Sequence, residues 1–168
     1  GKSYLASQAV KSVQQEGGLA GWIDAELSWD PQWMEQCGID TENVLVAQPT
    51  TGEEAFGLVT ALMDQGVDLV VLDSIAGLVP SNVQEEDFSY NPMAWQARFV
   101  NQSIPKVMTH LQYGSALILI NQMRSSIGPV ALENMPGGQA QTYFSHFILN
   151  LRRSGWIKDK DQRVGFDI

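Results

Sequence analysis

The 168-residue chain is poor in three things: cysteine, long apolar runs and positive charge. Its single cysteine, Cys37, excludes an internal disulfide, so the fold has to rest on its own packed core. No apolar run approaches the roughly 18–20 residues that a membrane-spanning helix needs. The chain opens on Gly1-Lys2-Ser3, without a charged-then-apolar leader. These absences set the expectation of a soluble protein in a reducing compartment, the cytoplasm. Lys and Arg number 10 against 19 Asp and Glu, a formal net charge of -9. That balance excludes a surface attracting phosphate backbones everywhere, because nucleic-acid binding leaves a basic footprint. Any such contact has to be local.

What is present points to one domain. A hydrophobic content of 44% over this length supports a single sizeable core. Runs rich in Val, Ile and Leu recur at residues 19–23, 44–47, 69–72, 116–120 and 147–151. They predict buried strands of a largely parallel sheet. Residues 7–15, 53–63 and 95–111 carry apolar side chains at helical spacing and predict crossover helices, giving an α/β architecture with a mostly parallel, twisted sheet covered on both faces. Pro105, inside the third of these, predicts a kink or break, since proline removes a backbone donor and crowds the preceding turn. Residues 80–92, with Glu85-Glu86-Asp87, and 125–138, with Gly128, Pro129, Pro136, Gly137 and Gly138, lack periodicity and read as long loops. Loops of this length in a compact domain are often functional. No internal repeat or low-complexity tract is present.

Four strand or helix ends carry candidate chemistry. Gly1-Lys2-Ser3 before a helix matches the end of a phosphate-binding loop: the helix offers free N–H groups to phosphate, Lys2 reaches the outer phosphates and the Ser3 hydroxyl holds Mg²⁺. About seventy residues on, an apolar strand ends in Asp73-Ser74, where a carboxylate suits the Mg²⁺ shell of such a nucleotide. Trp22-Ile23-Asp24-Ala25-Glu26 ends another strand in two carboxylates. Glu26 is the candidate general base for an attacking water, although either acid also suits the capping of the next turn. The strand at 116–120 ends in Asn121-Gln122-Met123-Arg124, and a neutral amide there can touch a terminal phosphate and report its loss to the following loop. An amide that satisfies nearby backbone groups is the alternative reading of Gln122.

Taken in order, Gly-Lys-Ser, Ile-Asp-Ala-Glu, Gln48-Pro-Thr-Thr-Gly-Glu53, Val-Val-Leu-Asp-Ser, Ile-Asn-Gln-Met-Arg, Pro-Gly-Gly and Leu-Arg-Arg resemble the bacterial and phage RecA recombinases, over nearly the whole chain. The resemblance implies a RecA-like P-loop ATPase core spanning 1–168, cut at its amino end inside the phosphate-binding loop and lacking the carboxy-terminal part. It implies that Gly1, Lys2 and Ser3 bind ATP and Mg²⁺, that Asp73 is the second Mg²⁺ residue, that Glu26 activates water and that Gln122 senses the γ-phosphate. Asp30 and Trp33 fall where the family contacts adenine, and tryptophan keeps the flat face that stacking requires; a core aromatic is the alternative. Residues 80–92 and 123–138 become the two DNA-binding loops, with Arg98 and Arg124 on DNA, Ile127 as an apolar wedge between bases, and Gly137 and Gly138 letting the backbone approach phosphate. The implied partners are single-stranded and duplex DNA and further copies of the protein in a helical filament, with no membrane. The implied activity is ATP-dependent strand exchange in DNA repair, this fragment itself having little turnover. Two features depart from the family pattern: the second loop is a little shorter, and the first is acidic. A RecA-fold ATPase without strand exchange and a non-catalytic filament module are the competing readings.

Overall fold

The computed structural model describes residues 1–79, 81, 92–111, 114–125, 133–134, 136–159 and 162–167. Four apolar segments form the central sheet: β1 (Ala20–Asp24), β2 (Val44–Ala47), β3 (Leu69–Asp73) and β4 (Ala116–Leu119). Every pairing is parallel and the spatial order is β2-β1-β3-β4. β1 and β3 lie in the middle and every residue of both is buried, which is why neither alternates with polar residues before its closing aspartate.

Successive side chains of a strand point to opposite faces, and the two faces carry separate cores. On one face Ile23, Val70 and Leu72 pack with Ala55, Phe56, Val59 and Met63 of α3 (Gly52–Asp64) and with Val100, Ile104 and Val107 of α4 (Pro92–Met108). On the other, Trp22, Leu69 and Val71 meet Ala6 and Val10 of α1 (Lys2–Gln15) and Met34 of α2 (Pro31–Gln36). Local chemistry starts these helices. Asp30 accepts the N–H groups of Gln32 (3.0 Å) and Trp33 (3.2 Å) ahead of Pro31 at the start of α2. Thr51 accepts the Glu54 N–H at 3.1 Å to begin α3.

Two expectations change. α4 runs unbroken through Pro105. The proline removes one hydrogen bond near the carboxyl end, while buried Val100, Ile104 and Val107 hold the helix to the sheet on both sides of it. Residues 147–151 form no strand: Phe147 is 89% and Leu149 73% exposed. Apolar composition signals burial, but a strand also needs a neighbour's backbone to bond, and β4 pairs only with β3 among the described strands. Elements that the sequence pattern did not suggest follow Gln122. β5 (Arg124–Ser125) pairs antiparallel with β6 (Glu133–Asn134), α5 spans Ala140–Phe144, and β7 (Gly155–Asp159) pairs antiparallel with β8 (Gln162–Asp167). No helix among the described residues is long and apolar enough to cross a membrane.

Candidate functional site

The parallel sheet brings the carboxyl ends of all four strands to one edge. From β1 the chain turns outward to β2 through α2, on one face. From β3 it turns the other way to β4 through α4, on the opposite face. The ends of β1 and β3 therefore flank the crevice where α/β sheets take their ligands. Asp24 pairs in register with Asp73 across that boundary.

The two acids at the end of β1 have different surroundings. Asp24 is fully buried and accepts the N–H groups of Ser28 (3.0 Å) and Trp29 (2.9 Å), the Ser28 hydroxyl (3.4 Å) and the Gln48 amide (3.0 Å). Burial alone would push its carboxyl up, but these hydrogen bonds outweigh burial and hold it below the ordinary carboxylate range. Asp24 thus takes the turn-capping role that the sequence left open between it and Glu26. Glu26 has other partners. Its Oε1 accepts a short hydrogen bond from the Ser74 hydroxyl and another from the Gln122 amide at 3.0 Å.

Asp73, at the end of β3, is 3% exposed. Burial raises its pKa, and the nearby charges of Glu26 and Asp24 raise it further; a hydrogen bond from the Ser3 hydroxyl and the charge of Lys2 act in the opposite direction. Those interactions bring the amino end of α1 to the same point: Lys2 and Ser3 lie at Asp73, under the first turn of α1, whose N-cap residue Gly1 adds no side chain. The Asp73–Ser74 peptide is cis. A buried carboxylate repelled by two others and met by a hydroxyl is a fitting donor set for a divalent cation. Among the described residues no group of three or more His, Cys, Asp or Glu forms a metal cage.

Lys2, Ser3, Glu26, Asp73 and Gln122 are thus together. Asp30 and Trp33 lie beside α1: Trp33 is 37% exposed and its ring meets that of Tyr4, next to Ser3, in an edge contact with centroids 6.2 Å apart. Arg98 is exposed on α4, its guanidinium 5.5 Å from the centre of the Trp95 ring. Arg124 opens β5, opposite Asn134, and Ile127 lies outside the described residues. Gly137 and Gly138 have φ of +89° and +77° and pack against α4, where a Cβ on Gly138 would fall 2.4 Å from the Asn101 amide nitrogen. Left-handed backbone and close packing against the helix are by themselves sufficient reason for glycine at both positions.

The family model of the RecA N-terminal domain aligns with residues 1–168, the whole chain. The chain belongs to the RecA family. Its relatives include Protein RecA of Acidothermus cellulolyticus, 37% identical over 98% of this chain and 49% of that protein. Protein RecA of Chlorobaculum parvum is 38% identical over 98% of the chain and 49% of the relative. Protein RecA of Aquifex aeolicus is 36% identical over 100% and 50%. The chain spans about half the length of these RecA relatives.

Sequence reasoning missed several residues that hold this candidate site. Ser74 and Gln48 support Glu26 and Asp24. Buried Gln96 of α4 donates to the carbonyls of Ile75 (3.0 Å), Ala76 (3.3 Å) and Leu78 (3.2 Å), fixing the turn after Asp73-Ser74. That turn passes close to Glu26: a Cβ on Gly77 would stand 3.0 Å from the Ala25 carbonyl oxygen and 3.2 Å from Cγ of Glu26. Gln96 carried a weak signal, a polar residue on the apolar stripe of its helix. Exposed Arg153, the last residue of the Leu-Arg-Arg motif, and Arg163, which the sequence did not single out, have guanidiniums 4.3 and 4.6 Å from the centre of the Trp156 ring.

Proposed function

We propose that the protein is an ATP-dependent DNA recombinase of the cytoplasm, binding single-stranded DNA as a filament of its own copies and pairing it with homologous duplex DNA. The observation that carries the reading is the hydrogen bond from Gln122 to Glu26, because it joins the candidate base to the residue that leads into the second long loop. Its immediate neighbours complete an ATP site.

In this reading the phosphates of ATP lie at the amino end of α1, where unpaired N–H groups and Lys2 offset their charge. Ser3 and Asp73 would hold Mg²⁺, which supplies neutralisation of phosphate charge. Glu26, held by Ser74, takes a proton from the attacking water; a positioned base of this kind contributes about 10²–10⁴-fold in rate. Gln122 contacts the γ-phosphate when ATP is present and returns to Glu26 when it is gone. Asp30, already fixed by the α2 backbone, and Trp33 flank the base. DNA lies along residues 80–92 and 123–138, with Arg98 and Arg124 meeting phosphates, Ile127 between bases, and Gly137 and Gly138 near the backbone. ATP and DNA favour the same state, so each must tighten the other's binding by the same factor.

The test is ATP turnover by the full-length protein with and without single-stranded DNA, alongside strand exchange between a single strand and a homologous duplex. DNA-stimulated hydrolysis together with exchange is expected. Hydrolysis without exchange would make the protein a RecA-fold motor of another kind, and binding without hydrolysis would make it a filament module.

A further inference from the structure

Behind Gln122 the second loop is closed at its base by two side-chain amides. Asn121 Nδ2 donates to the Pro136 carbonyl (2.7 Å) and to Oε1 of Gln141 (2.7 Å), while its Oδ1 accepts the main-chain N–H of Gln122 (2.8 Å). Gln141 Nε2 donates to the same Pro136 carbonyl (2.7 Å) and, at 3.4 Å, to that of Gly138. The Pro136 oxygen uses both lone pairs, and each amide donates and accepts in a consistent orientation. Gln141 is only 5% exposed on a five-residue helix. If packing were its whole task, an apolar side chain would fill that place without needing three hydrogen-bonding partners in register. The far side of the clasp is anchored as well: Asn101 of α4 accepts the Ala140 N–H at 2.8 Å and lies against Gly138.

Resting on the functional reading above, we infer that Asn121 and Gln141 are positioning residues that carry the nucleotide state from Gln122 to the 136–141 end of the second loop. The path is continuous. Ser74 bonds Glu26, Glu26 bonds the Gln122 side chain, and Asn121 holds the Gln122 main chain. The same Asn121 amide then grips Pro136 and Gln141. When Gln122 leaves Glu26 for a γ-phosphate, the shift reaches Asn121 through one hydrogen bond and the far end of the loop through two more. Both ends of the loop therefore respond together.

The experiment uses the full-length protein and measures its affinity for a single-stranded oligonucleotide with and without a non-hydrolysable ATP analogue. The ratio of the two affinities is the coupling factor, ordinarily about 5–150-fold. Gln141→Met keeps the volume and removes both amide functions. It is expected to bind the analogue alone, and DNA alone, as the parent does, while the coupling factor falls from about 5–150-fold toward 1. Asn121→Asp, which keeps the acceptor for the Gln122 N–H and loses both donated bonds, gives an independent arm with the same fall. The double variant should fall no further, because one clasp is being broken twice. Full coupling in either folded single variant overturns the inference. A parent protein whose DNA affinity ignores the analogue overturns the functional reading, and the clasp's role with it.

Discussion

Gln96→Met tests whether the turn behind the candidate site depends on one buried amide. In the parent, Gln96 serves the carbonyls of Ile75, Ala76 and Leu78 at 3.0, 3.3 and 3.2 Å. The amide has two hydrogens, so it supplies the equivalent of two full bonds to three acceptors. Each bond has a net worth of about 0.5–1.5 kcal/mol, and an acceptor left buried and unpaired costs about 1–3 kcal/mol. Methionine fills nearly the same volume, so packing is little altered. The expected loss is about 2–4 kcal/mol, or a Tm lowered by roughly 4–16 °C for a chain of this size. Chemical denaturation with an unchanged m-value, and a thermal melt, measure it. Hydrolysis should fall too, since Gly77 in this turn lies against Ala25 and Glu26. A loss below about 0.5 kcal/mol would refute the argument, showing that the Ala76 and Leu78 carbonyls find other partners, as the Ile75 carbonyl already has in the Leu78 N–H at 3.2 Å.

Three further predictions rest on other residues. The Asp73 pKa is raised, so between its ordinary value of 3.8 and the raised one the folded chain keeps a proton that the unfolded chain has released. Nucleotide-free stability from Asp73 therefore declines as pH rises through that window, whereas Asp24, with its pKa lowered, contributes stability above 3.8 that is lost as pH falls below it. Melting curves against pH should show the first dependence removed in Asp73→Asn and the second in Asp24→Asn; unchanged profiles would refute the assignments. Gly138→Ala should cost about 2–3 kcal/mol in chemical denaturation, from a left-handed residue and a displaced Asn101, and a neutral effect would contradict the packing at α4. Arg124→Ala in the full-length protein should lower the salt slope of single-stranded DNA binding by about one unit, and an unaltered slope would take Arg124 off the phosphates.

Much of the central sheet was legible because β1 and β3 are buried on both faces, which in β3 gives the unbroken run Leu69-Val-Val-Leu72 and in β1 the small and apolar residues Ala20-Gly-Trp-Ile23. The same signal misled at 147–151, where apolar residues lie exposed. Composition reports a preference for burial and says nothing about whether a partner's backbone is within reach. The pair β7–β8 escaped because its residues mix charge and glycine with few apolar positions and its register shifts between Ile157 and Lys158. In the site, Glu26, Asp73 and Gln122 were legible as polar residues ending apolar strands. Their supports were not. Ser74 reaches across 48 residues to Glu26, Gln48 across 24 to Asp24, and Gln141 across 20 to Asn121. An amide or hydroxyl bonds almost any polar neighbour, so its type carries no address. The division of labour between Asp24 and Glu26 likewise depended on which carboxylate the following turn enclosed.

The central claim, that Glu26 drives hydrolysis at a nucleotide site governing DNA binding, is tested most directly by Glu26→Gln in the full-length protein. Glutamine keeps an oxygen to accept from Ser74 and Gln122 but cannot take the proton of water. ATP turnover on single-stranded DNA should fall by about 10²–10⁴-fold while ATP-dependent DNA binding persists. Turnover at the parental rate would contradict the account.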